Sequence, residues 1–448
     1  MQLTNGADTI VARATPPGTG GVAIVRISGR EAERIARQML GSLPEPRTAT
    51  YRVFRDAAGA NLDTGIALYF PAPASFTGES VVELHGHGGP VVVAEIVAAA
   101  VELGARLAEP GEFTKRAFLN DKLDLVQAEA VADLIGSGTA QAARAALRSL
   151  AGAFSTAIDA LAEQLVRLRM HVEAAIDFPE DEIDFLSDEL LLQRIDECSE
   201  AFDQLLREAT IGRVLRDGFR VVIVGKPNAG KSSLLNRLSG EDTAIVTEVA
   251  GTTRDVLREQ INIDGLAVEI VDTAGLRENP DRVEAEGIRR AREALASADA
   301  VLWIQDASAV DDDAITERIA DDVPVVIVRN KIDLTADRAS VAIGEQNVIN
   351  LSAKTGEGID ALRVSIATLA GFKDLGEGAF TARRRHVDAL IRAARHFAVG
   401  RRALDETKAG ELLAEELRVA QQALGEITGE VSSDELLGRI FAEFCIGK

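Results

Sequence analysis

The sequence is short of cysteine, of long apolar runs and of positive charge. Of 448 residues only Cys198 and Cys445 are cysteines, so a disulfide framework is excluded and a reducing compartment fits. The longest stretch without a charged side chain, Thr64 to Gly78, contains Pro71 and Pro73 and is too short and broken for a membrane-spanning helix. The opening residues MQLTNGADTIVARA lack the apolar core of a signal peptide and the Arg- and Ser-rich bias of a transit peptide, so a cytoplasmic location without membrane attachment is expected. Lys and Arg total 49 against 71 Asp and Glu, a net charge of −22. That balance excludes a surface broadly adapted to polyanions, so any nucleic-acid role must be local, transient or shared with a partner. Internal repeats and low-complexity segments are also absent. What is present is ordinary globular composition, 46% hydrophobic and 27% charged, in a chain long enough for about three domains.

Three textures follow one another. Residues 1–118 mix short β-rich runs (GVAIVRIS, TGIALYF, VVELHGH) with Gly and Pro clusters and read as an α+β module. Residues 119–215 repeat apolar side chains at three- and four-residue spacing, the mark of helices, with the acidic segment DFPEDEIDF interrupting them as a loop. Residues 216–372 alternate helices with nearly continuous apolar strands (FRVVIVG, LAVEIVDTAG, AVLWIQDAS, VPVVIVRNK, VINLSAK), as a parallel sheet buried on both faces requires. Helical texture returns over 373–448. The simplest arrangement is an α/β domain inserted into a discontinuous helical domain.

The inserted segment carries chemistry. Gly225-Lys226-Pro227-Asn228-Ala229-Gly230-Lys231-Ser232 fits GxxxxGK[ST], follows the apolar run Val221–Val224 and precedes the helical stretch SSLLNRLSG. In that setting backbone amides from Asn228 to Ser233 turn toward phosphates, Lys231 reaches the outer phosphates and the Ser232 hydroxyl can ligate Mg²⁺. Asp272-Thr273-Ala274-Gly275 ends a strand, placing Asp272 to hold Mg²⁺ through water and the Gly275 amide near a γ-phosphate. Asn330-Lys331-Ile332-Asp333 ends another, and the Asp333 carboxylate can accept from the N1 and N2 donors of guanine, a pair that adenine lacks. Ser352-Ala353-Lys354 can close over the base. Four such motifs in this order imply GTP as substrate. The segment Thr247-Glu248-Val249-Ala250-Gly251-Thr252-Thr253-Arg254-Asp255 is the candidate first switch, in which Thr253 or Thr252 completes Mg²⁺ coordination. Arg254 reads equally as an arginine finger or as an ion-pair partner. Where many related GTPases carry a water-orienting Gln or His, this chain has Leu276, so another group must orient water. Glu284 is the nearest carboxylate in that segment; by itself it reads as a solvated helix-face charge rather than a catalytic group.

The core resembles the translation-factor-related GTPases, and the resemblance extends further. GKPNAGKSSLLNRL, IVTEVAGTTRDVLRE and DTAGLRE, with TPPGTGGVAIVRISG, PGEFTKRAFLNDKLDLVQAEAVADLI, EAAIDFPEDEIDF and the terminal LLGRIFAEFCIGK, resemble the MnmE (TrmE) family of bacterial tRNA-modification GTPases over essentially the whole chain. The resemblance implies an N-terminal domain that binds a tetrahydrofolate derivative (5,10-methylene or 5-formyl) and dimerises, a discontinuous helical domain, and an inserted Ras-like G domain. It implies a K⁺ ion in place of an arginine finger, held by Asn228 and by carbonyls of Thr247, Val249 and Thr252, with two G domains meeting to order the switches. Glu284 matches the family's water-positioning carboxylate. Arg26, Glu83, Lys122 and Lys448 match positions lining the folate pocket. The family acts with an FAD-carrying MnmG-type flavoprotein as a heterotetramer, modifying C5 of the wobble uridine of certain tRNAs. A ribosome-assembly or regulatory GTPase built on the same core is the rival reading, and it has no use for a folate pocket.

Three features stay open on sequence. Cys445 is either core packing or an exposed thiol taking part in one-carbon chemistry. His85 and His87 at i, i+2 suggest a metal, but no further ligands sit nearby, and satisfied strand-end histidines fit better. The run Arg383-Arg384-Arg385-His386 with Arg392, Arg395, Arg401 and Arg402 is either paired to neighbouring acidic helices or a contact for tRNA or a partner protein.

Overall fold

The computed structural model describes residues 8–177, 189–239, 258–263, 265–272, 293–309, 319, 323–342, 347–372, 378–431, 434–442 and 444–447. Two compact units emerge: Met1–Ala132 with Leu150–Leu186 and Arg395–Lys448, and Asp133–Ser149 with Ser187–Ala394.

The first unit begins with β1 (Ile10–Arg13), β2 (Gly20–Ser28), α1 (Ala32–Leu40), β3 (Thr50–Arg55), β4 (Asn61–Phe70), β5 (Val81–Gly88), α2 (Pro90–Glu102), β6 (Arg106–Leu107) and α3 (Glu112–Leu119). The strands form one sheet in the order β3-β4-β5-β2-β1-β6, antiparallel except for β1 beside β6. Period-two alternation decides its faces. Val25, Ile27, Phe54, Ala67 and Leu84 pack beneath Ile35 and Met39 of α1 and Ile96 of α2. The intervening residues Arg26, Glu83 and His85 therefore lie on the opposite face. There Phe113 of α3 packs with Ile10, Ala12 and Ala108. An ionic network fixes α3: Arg116 reaches Asp8, Glu79 and Glu112, and Arg106 reaches Asp8 and Glu112, all within 3.1 Å. Burial pushes the Glu112 carboxyl up, but hydrogen bonds from Arg106, the Glu109 amide and Arg116 outweigh it and leave the pKa lowered.

Four helices follow, α4 (Leu125–Gly136), α5 (Ala140–Leu150), α6 (Ala153–Asp177) and α7 (Glu189–Asp217). The sequence pattern runs α5 and α6 together, whereas the structure breaks the helix at residues 151–152. The acidic segment 178–185 lies outside the described residues.

The second unit holds β7 (Phe219–Gly225), α8 (Lys231–Ser239), β8 (Arg258–Ile263), β9 (Leu266–Asp272), β10 (Ala300–Asp306), β11 (Val325–Asn330), β12 (Ser340–Ala342), β13 (Asn347–Asn350) and α9 (Ile359–Leu369). The sheet order is β12-β13-β11-β10-β7-β9-β8. All five apolar runs read from the sequence are its central parallel strands. The two antiparallel edges, β8 and β12, are too short or too polar to stand out in sequence. Val221, Ile223, Ile270, Leu302, Ile304, Val326 and Val328 form its dry centre under Leu234 and Leu362.

The chain ends with α10 (Arg384–Thr407), α11 (Gly410–Thr428) and α12 (Asp434–Ala442). Leu437, Ile440, Phe441 and Phe444 pack on Leu125 and Ala128, sequence-distant residues of the same unit. The arginine run is not uniform. Arg383 is buried with its guanidinium 2.8 Å from Asp133, which Arg216 also meets at 2.9 Å. His386 is buried and accepts from the Arg383 amide. Arg384, Arg392, Arg395 and Arg402 are exposed. Among the described residues no helix is long and apolar enough to cross a membrane.

Candidate functional site

Parallel strands bring loops that are far apart in sequence to one edge, because each strand's C-terminal end points the same way. Here β7, β10, β11 and β13 deliver the phosphate loop, Asp306, the NKID segment and the SAK segment in that neighbourhood. Lys231 opens α8 and is buried, its ammonium donating to the carbonyls of Gly225 and Lys226 at 2.8 Å each. That grip holds the ammonium against the first residues of its own loop. Ser232 and Ser233, in the first turn of α8, are exposed, as is Asn228, which adopts a positive φ of 66°. Gly230 has no substitute: its φ is +95°, and a Cβ would stand 2.2 Å from the Asn330 amide nitrogen.

Asn330 is the joint of the site. Its side chain is almost wholly buried; Nδ2 donates to the Ala229 carbonyl at 2.9 Å, and Oδ1 accepts from the amides of Lys331 at 2.8 Å and Ala353 at 2.9 Å. One amide thus ties the phosphate loop to the segment that closes over the base. Asp333 sits exposed on a short 3₁₀ turn, Ile332–Leu334, and its Oδ1 accepts the Ser352 hydroxyl at 2.6 Å. Ser352 is buried, Ala353 nearly so, and Lys354 is exposed. The carboxylate is oriented before any base arrives, with lone pairs left for two guanine donors. Asp272 ends β9, paired with Ile223 of β7, which puts its backbone beside the start of the phosphate loop. Two partners escaped the sequence reading. Asp306 pairs with the Lys331 ammonium at 2.6 Å, and Arg237 of α8 donates to the Thr355 carbonyl at 3.0 Å. The Lys331 hydrogen bond first, then that from Ser308, holds the Asp306 carboxyl below its ordinary pKa. Neither contact is visible along the chain, since each joins residues far apart in sequence.

Thr247, Glu248, Val249, Ala250, Gly251, Thr252, Thr253 and Arg254 of the first switch lie outside the described residues, as do Thr273, Ala274, Gly275, Leu276, Glu284 and Lys448.

In the first unit, Arg26 and Glu83 are register partners on β2 and β5 and form an ion pair at 2.8 Å. The Arg26 guanidinium also lies 5.6 Å from the ring centres of Phe76 and Phe113. The second Glu83 oxygen faces His85 Nε2 at 3.1 Å, and His87 pairs with Asp63 at 2.7 Å. Both histidines are satisfied on the strand, and the described residues contain no cluster of three or more metal-ligating side chains. Lys122 donates to the Pro73 carbonyl at 3.3 Å. Cys445 is exposed rather than packed. Its carbonyl accepts the Gly111 amide at 3.4 Å, and Ile446 bridges to Pro110. Gly447 lies so close to Arg13 that a Cβ would stand 2.0 Å from that carbonyl. Arg13 is in register with Val25, the neighbour of Arg26, so the chain's tail reaches the end of the sheet that carries the Arg26–Glu83 pair.

Two family models match this chain: the GTP-binding protein TrmE N-terminus over residues 9–122 and the MnmE helical domain over residues 125–445. The tRNA modification GTPase MnmE of Yersinia pseudotuberculosis serotype IB is 55% identical over 98% of this chain and 99% of its own length. That of Erwinia tasmaniensis is 54% identical over 99% of this chain and the whole of its own. Among solved structures, the G domain of the T. maritima FeoB iron transporter aligns at 23% identity over 34% of this chain and 98% of that chain; its TM-score of 0.25 adds nothing to the fold assignment. The match through residues 9–122 goes beyond a shared nucleotide-binding core, which alone would have left a ribosome-assembly GTPase open. With an N-terminal α+β region, helical segments on both sides of the inserted sheet and near full-length identity, the chain belongs to the MnmE (TrmE) family of tRNA-modification GTPases.

Proposed function

We propose that this chain hydrolyses GTP to drive modification of tRNA at C5 of the wobble uridine, acting as a homodimer with an FAD-carrying flavoprotein and a tetrahydrofolate one-carbon donor. The observation that carries the nucleotide part is the Asn330 amide, which joins the Ala229 carbonyl of the phosphate loop to the Ala353 amide of the base loop. The near full-length identity to curated tRNA-modification GTPases carries the tRNA part. Four pieces are proposed, as in the sequence reading: residues 1–118 for folate and dimerisation, 119–215 and 373–448 as the helical domain, and 216–372 as the G domain.

Mg²⁺ fits the exposed Ser232 hydroxyl at the start of α8, with Thr253 as its second protein ligand. K⁺ fits the exposed Asn228 amide, with carbonyls of Thr247, Val249 and Thr252 completing the shell. An ion held there would supply positive charge of the kind an arginine finger supplies. The protein's own groups do the rest: Lys231 neutralises the outer phosphates, the loop amides fix them, and Glu284 holds the attacking water. Replacing K⁺ by Na⁺ at equal ionic strength is expected to slow GTP hydrolysis by about 100-fold, the scale of a lost transition-state charge contact. Equal rates in the two salts would sink this use of Asn228.

The folate reading rests on the Arg26–Glu83–His85 group. Glu83 spends one lone pair on Arg26 and one on His85, leaving two for the amidine-like edge of a pterin. Lys122 and Lys448 would meet the glutamate tail, and the exposed Cys445 thiol stands at the tail of the same unit as a candidate for the one-carbon step. Titration calorimetry of the full chain with 5-formyltetrahydrofolate is expected to show binding that Glu83→Gln weakens by on the order of 10- to 100-fold. No heat from the unaltered protein would remove the folate assignment. Self-association finds support in Tyr51 and Ile66, register partners on β3 and β4 that are 68% and 43% exposed.

A further inference from the structure

Lys331 of the NKID segment is held by a residue outside that segment. Lys331 leaves β11 with a φ of +69°. Its ammonium reaches Asp306, the last residue of β10, at 2.6 Å. β10 lies between β11 and β7 in the sheet, so the lysine stem crosses from the base-binding end toward the strand that carries the phosphate loop. Asp306 is itself fixed: its Oδ1 accepts both the Ser308 amide at 3.0 Å and the Ser308 hydroxyl at 2.6 Å, leaving Oδ2 for the lysine. The Ala307 amide donates to the Asn330 carbonyl at 2.8 Å, which locks the two strand ends together. The pair is only partly screened, with side-chain exposures of 22% for Asp306 and 30% for Lys331.

From this geometry we infer that Asp306 is a positioning residue of the guanine site: by anchoring the Lys331 ammonium it stretches the four-carbon stem into a fixed wall for one face of the purine. The inference deepens the guanine-nucleotide reading and rests on it. A free lysine side chain samples many rotamers and must lose that freedom when a base stacks on it. Asp306 removes the freedom in advance, so the bound nucleotide meets a preorganised surface. Asp306 touches neither phosphate nor base in this role. It acts through Lys331.

The test is a double-mutant cycle on the full-length chain with mant-GDP as the probe, read as equilibrium affinity and dissociation rate. Asp306→Asn keeps the size and the Ser308 contacts but removes the charge. It is expected to weaken mant-GDP about five-fold, through faster dissociation, which is the size of a well-held, partly exposed ion pair. In turnover the loss should appear in KM for GTP rather than in kcat. In a Lys331→Ala background the same change should have no further effect on affinity. A melting temperature within about 2 °C of the parent's checks that Asp306→Asn has not simply loosened the sheet. Unchanged affinity in Asp306→Asn overturns the proposal, as does an equal loss in the presence and absence of the Lys331 side chain. A parent chain that binds no mant-GDP would instead overturn the guanine-site reading, and the positioning role with it.

Discussion

Lys231→Ala is expected to lower kcat/KM for GTP by about 1000-fold, the largest loss any single side chain described here should give. The lysine ammonium is held over the phosphate loop by two carbonyls at 2.8 Å, those of Gly225 and Lys226. Those contacts fix the ammonium at the start of the loop, where the phosphate-loop motif places its lysine for the outer phosphates. Phosphoryl transfer leaves the protein little covalent chemistry to perform, and catalysis comes from positioning and from charge set against the oxygens of the transferring group. Alanine removes that charge and leaves the Gly225 and Lys226 carbonyls without the ammonium they accept from. The measurement is phosphate release under saturating and limiting GTP, with thermal melting as a control because Lys231 is buried. A loss of less than ten-fold in a folded variant would mean that another cation neutralises the outer phosphates.

The second large effect is a change of base. Asp333→Asn is expected to weaken GTP by at least about 100-fold and to bring xanthosine triphosphate to comparable or better affinity. In the proposed site the carboxylate accepts from two guanine donors. An amide offers one acceptor and one donor, which opposes guanine's exocyclic amine and matches the 2-oxo group of xanthine. The structure gives this substitution a clean background. Asp333 Oδ1 accepts the Ser352 hydroxyl at 2.6 Å, and the carbonyl oxygen of an asparagine can accept the same bond. The base-closing loop should therefore keep its shape while the selectivity inverts. Competition between the two triphosphates for the variant checks it; an unaltered preference for GTP would show that Asp333 does not read the base. Set beside the five-fold effect expected for Asp306→Asn, the contrast is physical. In the proposed site Asp333 contacts the base itself, whereas Asp306 only shapes a side chain that does.

Much of the nucleotide site was legible before any coordinates because a phosphate loop is a local object. Its glycines, its lysine and the helix that follows lie within one short stretch, Gly225 to Ser239, and the apolar run before them marks the strand. The five parallel strands were legible for a similar reason: strands buried on both faces must be apolar throughout. β8 and β12 were missed because an edge strand has only one neighbour, and its composition need not announce it. The break between α5 and α6 was missed because apolar spacing continues through it. In the N-terminal region, residue chemistry alone left Arg26, Glu83 and Lys122 as surface charges. Only the resemblance to the MnmE (TrmE) family singled them out, and the structure then paired Arg26 with Glu83 across neighbouring strands.

By itself the sequence determined the nucleotide chemistry, the layering of the sheet and the family, since motif order, strand hydrophobicity and overall identity are written along the chain. The tertiary structure decided which charged groups meet. It turned Asp306 and Lys331, 25 positions apart, into one unit, and made Asn330 the link between two loops. It buried Arg383 against Asp133 while leaving Arg384, Arg392, Arg395 and Arg402 exposed, splitting a basic run that reads as uniform. It also brought the tail at Cys445 and Gly447 back to Gly111, at the start of α3, and to Arg13 of the N-terminal sheet. The reason is common to all four. A charge or a hydrogen bond acts over a few ångströms in space, and only the fold determines which residues come that close.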